Sequence, residues 1–190
     1  MQPHGRLRSP EFRRLKRRTA MAILKILRHP DPRLRTVARP VQIVNDRIRR
    51  LVDDMLETMY AAQGMGLAAT QVDAHERVIV MDVSEHHDAP VVLINPELLM
   101  RSAAMTAGDE GCLSVPGASE SISRHARVAV RALDRHAQPF EFQAEGRLGV
   151  CVQHELDHLS GVMLVDKLSP LKRARILERL SRRPQAALAR

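Results

Sequence analysis

The chain has 190 residues, 44% hydrophobic and 27% charged, which is enough for one domain with its own core. No apolar run approaches the ~20 residues that a bilayer-spanning helix needs, and two cysteines make a poor disulfide framework, so a reducing compartment is expected. The formal charge of +8 is uneven: residues 1–20 are net +6 and residues 167–190 net +7, which leaves −5 for residues 21–166.

Basic ends on an acidic body suit contact with a polyanion such as RNA or a lipid surface; plain solvation is the bland alternative. The first twenty residues, MQPHGRLRSPEFRRLKRRTA, lack the apolar stretch of a secretory signal and read as a disordered basic extension. A single patterned domain is expected from 21 to 190. Asn45 can cap a helix whose apolar positions, Ile48, Leu51, Val52, Met55, Leu56, Met59 and Tyr60, form a continuous stripe. That helix ends near Gln63-Gly64.

GMGLAATQ (64–71) formally fits a dinucleotide-binding glycine fingerprint. A helix precedes it and a strand follows, the reverse of what that fingerprint requires. Its glycines instead allow close backbone approach, and Gln71 supplies an amide. RVIVMDV (77–83) and VVLINP (91–96) read as strands. ARVAVRAL (126–133) and FEFQAEG (140–146) alternate, and DRHAQP between them makes a hairpin. RLGVCVQHELDHLS (147–160) reads as a helix with Gly161 just past its end, and Ser169-Pro170 opens a last, basic helix. The expected class is α+β: mixed or antiparallel strands packed around a central buried helix, closed by a helix from about residue 169.

The central helix carries H-E-x-x-H. His154 and His158 lie one turn apart on one face and can reach one ion, with Glu155 beside them to contact a metal-bound water. Leu148, Val150, Cys151, Val152, Leu156 and Leu159 make the helix apolar nearly all round, so it is buried. Burying that polar set is costly unless a metal or a dense network satisfies it.

The third ligand is less obvious. Cys151 shares the face, but its backbone is roughly 10 Å along the axis from His158, and ligand atoms of one ion lie within about 4 Å of each other. Leu164 stands where a metzincin needs its third histidine. Glu178 lies in an Arg-rich stretch better suited to the surface. That leaves Cys112 in DEGCLSVPG, a loop or strand end. Two His and one Cys leave a fourth position open, as catalytic sites require. A small buried hydrophobe is the ordinary fate of a lone cysteine.

GMGLAATQ, EGCLS and QHELDH, in that order, resemble the three signature motifs of the bacterial-type peptide deformylase family, with similarity over about residues 22–180. The resemblance implies a metal-dependent hydrolase that removes the formyl group, as formate, from the N-terminal formyl-methionine of nascent polypeptides. By position, it implies Cys112, His154 and His158 as ligands and Glu155 as general acid/base. Gln71 and the Leu113 N–H would stabilise the oxyanion. Gly66 and Gly111 would touch the peptide backbone, and Met65, Val150 and Cys151 would line the methionine pocket. Glu110 would support the metal site from behind. One divalent ion per chain is implied, Fe2+ physiologically, with Zn2+ or Ni2+ as other occupants.

The expected setting is a cytoplasmic monomer, off the membrane, with its basic C-terminal helix against the ribosome. Ser119 and Glu120 stand where some relatives carry an arginine, and Arg147 stands where an apolar residue is common. A zinc endopeptidase is the alternative enzyme. An RNA-binding protein without catalysis is opposed by the acidic body and the scarcity of aromatic side chains.

Overall fold

The computed structural model of the chain describes residues 22–182, so the basic extension expected at 1–20 lies outside the described residues. In chain order the elements are α1 (Asp46–Ala61), β1 (Gly66–Ala68), β2 (Val78–Met81), β3 (Val91–Arg101), β4 (Met105–Gly111), β5 (Ser119–His125), β6 (Arg127–Leu133), β7 (Pro139–Glu145), α2 (Gly146–Leu159) and α3 (Pro170–Ser181). The class is α+β, as expected. Of the mixed or antiparallel strands foreseen, the named strands of the described residues pair antiparallel throughout, and an isolated bridge between Arg39 and Glu76 is parallel. One sheet has the order β1-β2-β3-β6-β7, and β4 and β5 form a separate hairpin.

β2 explains the layering. All four of its residues are buried, which requires cover on both faces of the sheet. Ile79 and Met81 point into a cluster with Leu93, Cys151, Val152 and Leu159, on the α2 side. Val78 and Val80 point the other way, into a cluster with Ile48, Val52, Met55 and Met59 of α1. The five-stranded sheet is therefore held between the two helices, and the unbroken apolar run in the sequence follows from that. A third cluster joins Leu27 and Leu34 to Cys112, Val115 and Ile122 and to Met163, Val165 and Ile176.

The helix ends follow local chemistry. The Asn45 side chain accepts hydrogen bonds from the N–H groups of Arg47 (3.1 Å) and Ile48 (3.2 Å). At the end of α2, Gly161 N–H donates to His158 O and Val162 N–H to Asp157 O, a Schellman closure. Gly161 has φ +72°, and a Cβ there would stand 2.5 Å from Arg35 O, so glycine is required both by conformation and by space. Ser169 caps α3, whose one buried residue is Ile176.

Two features were not foreseen. β3 runs on past residue 96 to Arg101, and the β4–β5 hairpin brackets the segment that holds Cys112. No described helix is long and apolar enough to cross a membrane.

Candidate metal centre

α2 delivers two stripes of side chains. Positions 151, 154, 155 and 158 follow the i, i+3, i+4, i+7 rule and form one face. Cys151, His154, Glu155 and His158 on that face are all buried. Cys112 follows immediately after β4, so the hairpin carries a sulfur over this stripe.

Cys112 Sγ lies 3.3 Å from His158 Nε2, and the two Nε2 atoms of His158 and His154 lie 3.2 Å apart. All three donor atoms fall within 4.8 Å of one another. Bonds of about 2.0–2.3 Å from a tetrahedral ion place such donors roughly 3.3–3.6 Å apart. The donor set therefore fits a single divalent ion in both spacing and chemistry.

The surroundings favour positive charge there. Glu110 Oε2 accepts a hydrogen bond from His154 Nδ1 at 2.8 Å, which leaves Nε2 to face the other donors. Burial alone would raise the Glu110 pKa, but bonds from Arg124 and His154 outweigh it and bring it down to about 2. Arg124 forks onto Glu110 through Nε (2.8 Å) and Nη2 (2.9 Å), and reaches Asp157 through Nη1 (2.5 Å). Lys167 also meets Asp157, at 3.1 Å.

Burial opposes charge on either imidazole. For His158 it prevails, and the ring is held well below the ordinary histidine range. For His154 the bonds to Cys112 and Glu110 outweigh burial and raise its pKa.

Glu155 is fully enclosed, and burial pushes its pKa up to about 7. Its Oε2 is buried without a hydrogen-bond partner among the described residues. Gly66 at the start of β1 lies directly against this carboxylate: a Cβ there would sit 2.5 Å from Glu155 Oε1 and 2.8 Å from Cys151 Sγ. Gln71 is buried in the turn after β1. Its Oε1 accepts from Ala68 N–H (2.8 Å), while Nε2 donates to Ser114 Oγ (3.1 Å) and lies 3.9 Å from Cys112 Sγ.

The other expected site residues are distributed around this centre. Leu113 packs its side chain over Gly64, where a Cβ would meet Leu113 Cδ1 at 2.7 Å. Gly111 ends β4, where a Cβ would make an ordinary contact, 3.7 Å from Ala118 O. Cys151 Sγ contacts the carbonyl of Met65 at 3.5 Å, Met65 is 47% exposed, and Val150 is half-buried one residue before Cys151. Cys151 points to that carbonyl and lies outside the donor cluster, in keeping with the argument from helix length. Glu178 is exposed and paired with Arg182, away from the cluster.

Arg124 and Ser114 were not foreseen. Arg124 belongs to a strand with little hydrophobic alternation. A lone arginine in SISRH carries no signal of its partner fourteen residues upstream.

The family model for polypeptide deformylase matches residues 23–174. The chain belongs to the polypeptide deformylase family. It is 58% identical over 162 residues to the peptide deformylase of Azotobacter vinelandii, covering 85% of this chain and 96% of that protein. It is 60% identical over 163 residues to that of Alkalilimnicola ehrlichii, covering 85% and 91%. Among solved structures, the peptide deformylase from Ehrlichia chaffeensis in complex with actinonin aligns with a TM-score of 0.83 at 41% identity, covering 87% of this chain and 99% of that one. The one from Legionella pneumophila aligns at 0.79 and 44%, covering 86% and 100%. As a deformylase the chain is a hydrolase, and the endopeptidase alternative is not favoured.

Proposed function

We propose that the chain removes the formyl group, as formate, from N-formyl-methionine at the start of nascent polypeptides, acting in the cytoplasm as a monomer. The observation that carries this reading is one juxtaposition. A buried carboxyl with an unpartnered oxygen, Glu155, stands beside three convergent donor atoms and beneath the edge strand β1.

Cys112, His154 and His158 would hold the divalent ion, Fe2+ being the proposed physiological one and Zn2+ or Ni2+ alternative occupants. When bound, such an ion supplies Lewis acidity towards water and the formyl carbonyl. Glu155 takes a proton from the attacking water and returns it to the amine as the C–N bond breaks. Gln71 and the Leu113 N–H face the charge that gathers on the formyl oxygen, and one such donor is typically worth about 3 kcal/mol. Glu110, held by Arg124, keeps His154 in the tautomer that binds through Nε2.

β1 ends the five-stranded sheet, so its outer edge is available to an extended peptide. Gly66 and Gly111 admit the peptide backbone, and Met65, Val150 and Cys151 line the space for the methionine side chain. Formyl-Met-peptide and casein assayed side by side test the reaction. Formate release from the peptide with casein intact is the expected result, and casein cleavage would reverse the reading.

Gly66→Ala would push a methyl into the Glu155 carboxylate and the Cys151 sulfur, both buried, so the carboxylate must shift from its place. Misplacing a catalytic group by about 1 Å costs ~10²-fold, so kcat/KM should fall by that order with the circular dichroism spectrum unchanged. Wild-type kinetics in this variant would separate Gly66 from the site.

The exposed residues of α3 include Arg175 and Arg179, one turn apart on the same face, and we propose that this face meets the ribosome. Co-sedimentation with ribosomes should weaken when Arg175 and Arg179 are changed to Glu; equal pelleting would refute the contact.

A further inference from the structure

α2 has a second stripe. Gln153, Leu156, Asp157 and Ser160 repeat the i, i+3, i+4, i+7 spacing on the side of the helix opposite to His154, Glu155 and His158. The deformylation chemistry uses none of them directly. They line a cleft of about 510 Å³ whose other walls come from β3, from the β4–β5 hairpin and from Arg77 and Lys167. That volume lies within the roughly 300–1,000 Å³ range of small-molecule sites.

The lining is cationic in a stretch of chain that is otherwise acidic. Arg77, Arg101, Arg124 and Lys167 face two carboxylates, Glu97 and Asp157. Asp157 is already engaged by Arg124 and Lys167. Glu97 stands opposite Arg131 in the β3–β6 ladder, but Arg131 is paired with Glu141. Among the described residues the groups left over in the cleft are therefore two guanidiniums, Arg77 and Arg101, against one carboxylate, Glu97. Arg77 gives one Nη2–H to Pro96 O at 2.6 Å and keeps its other donors. Arg101 makes no side-chain hydrogen bond or ion pair among the described residues, and it sits at the exposed end of β3. Beside them Leu98, Met105 and Leu156 form an apolar shoulder, and Met105 is 52% exposed.

A guanidinium fork matches the oxygens of a dianionic phosphate, and the shoulder offers burial to an apolar substituent. We propose that this cleft binds a small phosphate ester, its head held by Arg77 and Arg101 and its apolar body lying on Leu98, Met105 and Leu156.

The test is an amide NMR titration of the full-length, zinc-loaded protein with phenyl phosphate, inorganic phosphate and benzoate. Saturable shifts at Arg101, Ser123, Gln153 and Ser160 are expected, with phenyl phosphate the tightest of the three. Arg101→Gln alone, at an exposed position, should weaken phenyl phosphate at least threefold, and Arg77→Gln/Arg101→Gln at least tenfold. Deformylation of a formyl-Met-peptide should be unchanged in both variants, which also reports that they fold. Shifts confined to Gly66, Gln71 and Cys112 would mean contact with the metal alone and would overturn the proposal. So would absence of saturation, or undiminished affinity in the double variant. Benzoate binding as tightly as phenyl phosphate would overturn the phosphate assignment.

Discussion

Glu155→Gln is expected to lower kcat for a formyl-Met-peptide by about 10²–10⁴-fold while the divalent ion stays bound at wild-type stoichiometry. The substitution keeps the volume of the side chain and removes its ability to exchange a proton. The carboxyl is enclosed between α2 and Gly66 of β1, so the amide has no room for another arrangement. Its Oε2 has no protein partner among the described residues, so no native hydrogen bond is lost at that atom. Stability should therefore change little. Single-turnover assay and metal analysis of the same sample check the expectation. Substantial residual turnover would remove Glu155 from the role of proton carrier, and loss of metal would show that it acts on the ion instead.

Cys112→Ala should strip the ion itself. The two imidazoles that remain lie on one helical turn, and two side chains rarely retain an ion at a working site. Metal analysis after gel filtration should fall from about one ion per chain to near none, and activity with it. Wild type prepared without oxygen should carry iron and lose activity in air, with anaerobic reloading restoring it. Full metal occupancy in Cys112→Ala would mean that the sulfur is not a ligand. Air-stable activity would count against iron.

Much of this architecture is legible in the sequence where burial is one-sided or where a cap fixes an end. Asn45 announces α1, Gly161 closes α2, and Ser169-Pro170 opens α3, because each satisfies backbone groups locally. The histidine pair is legible because helical spacing alone brings i and i+4 together. The β4–β5 hairpin is not legible, for a physical reason. Its inward column includes Glu110, Ile122 and Arg124, so two buried positions carry opposite charges and the apolar alternation that signals a strand is broken. The same pair hides the support of the metal centre. Arg124 is 5% exposed, yet nothing in its neighbours along the chain shows that it spans Glu110 and Asp157. Cys112 was reachable only by eliminating nearer ligands and by resemblance, since its meeting with α2 depends on how the hairpin folds over the helix.

The hairpin forms a ladder of its own, joined to the five-stranded sheet only at its base, where Ser102 N–H donates to Arg127 O and Ala126 N–H to Ala104 O. Its sulfur and the imidazoles of α2 thus belong to separately built pieces, and an ion gripping both is a fastener as much as a reagent. Withdrawing it leaves the Arg124 fork, the Gln153 bonds to His125, the Lys172–Glu120 pair and the apolar cluster around Val115 and Ile122 to keep the hairpin seated. Demetallation should therefore slacken one flap of the molecule while the layers around Val78–Met81 hold firm.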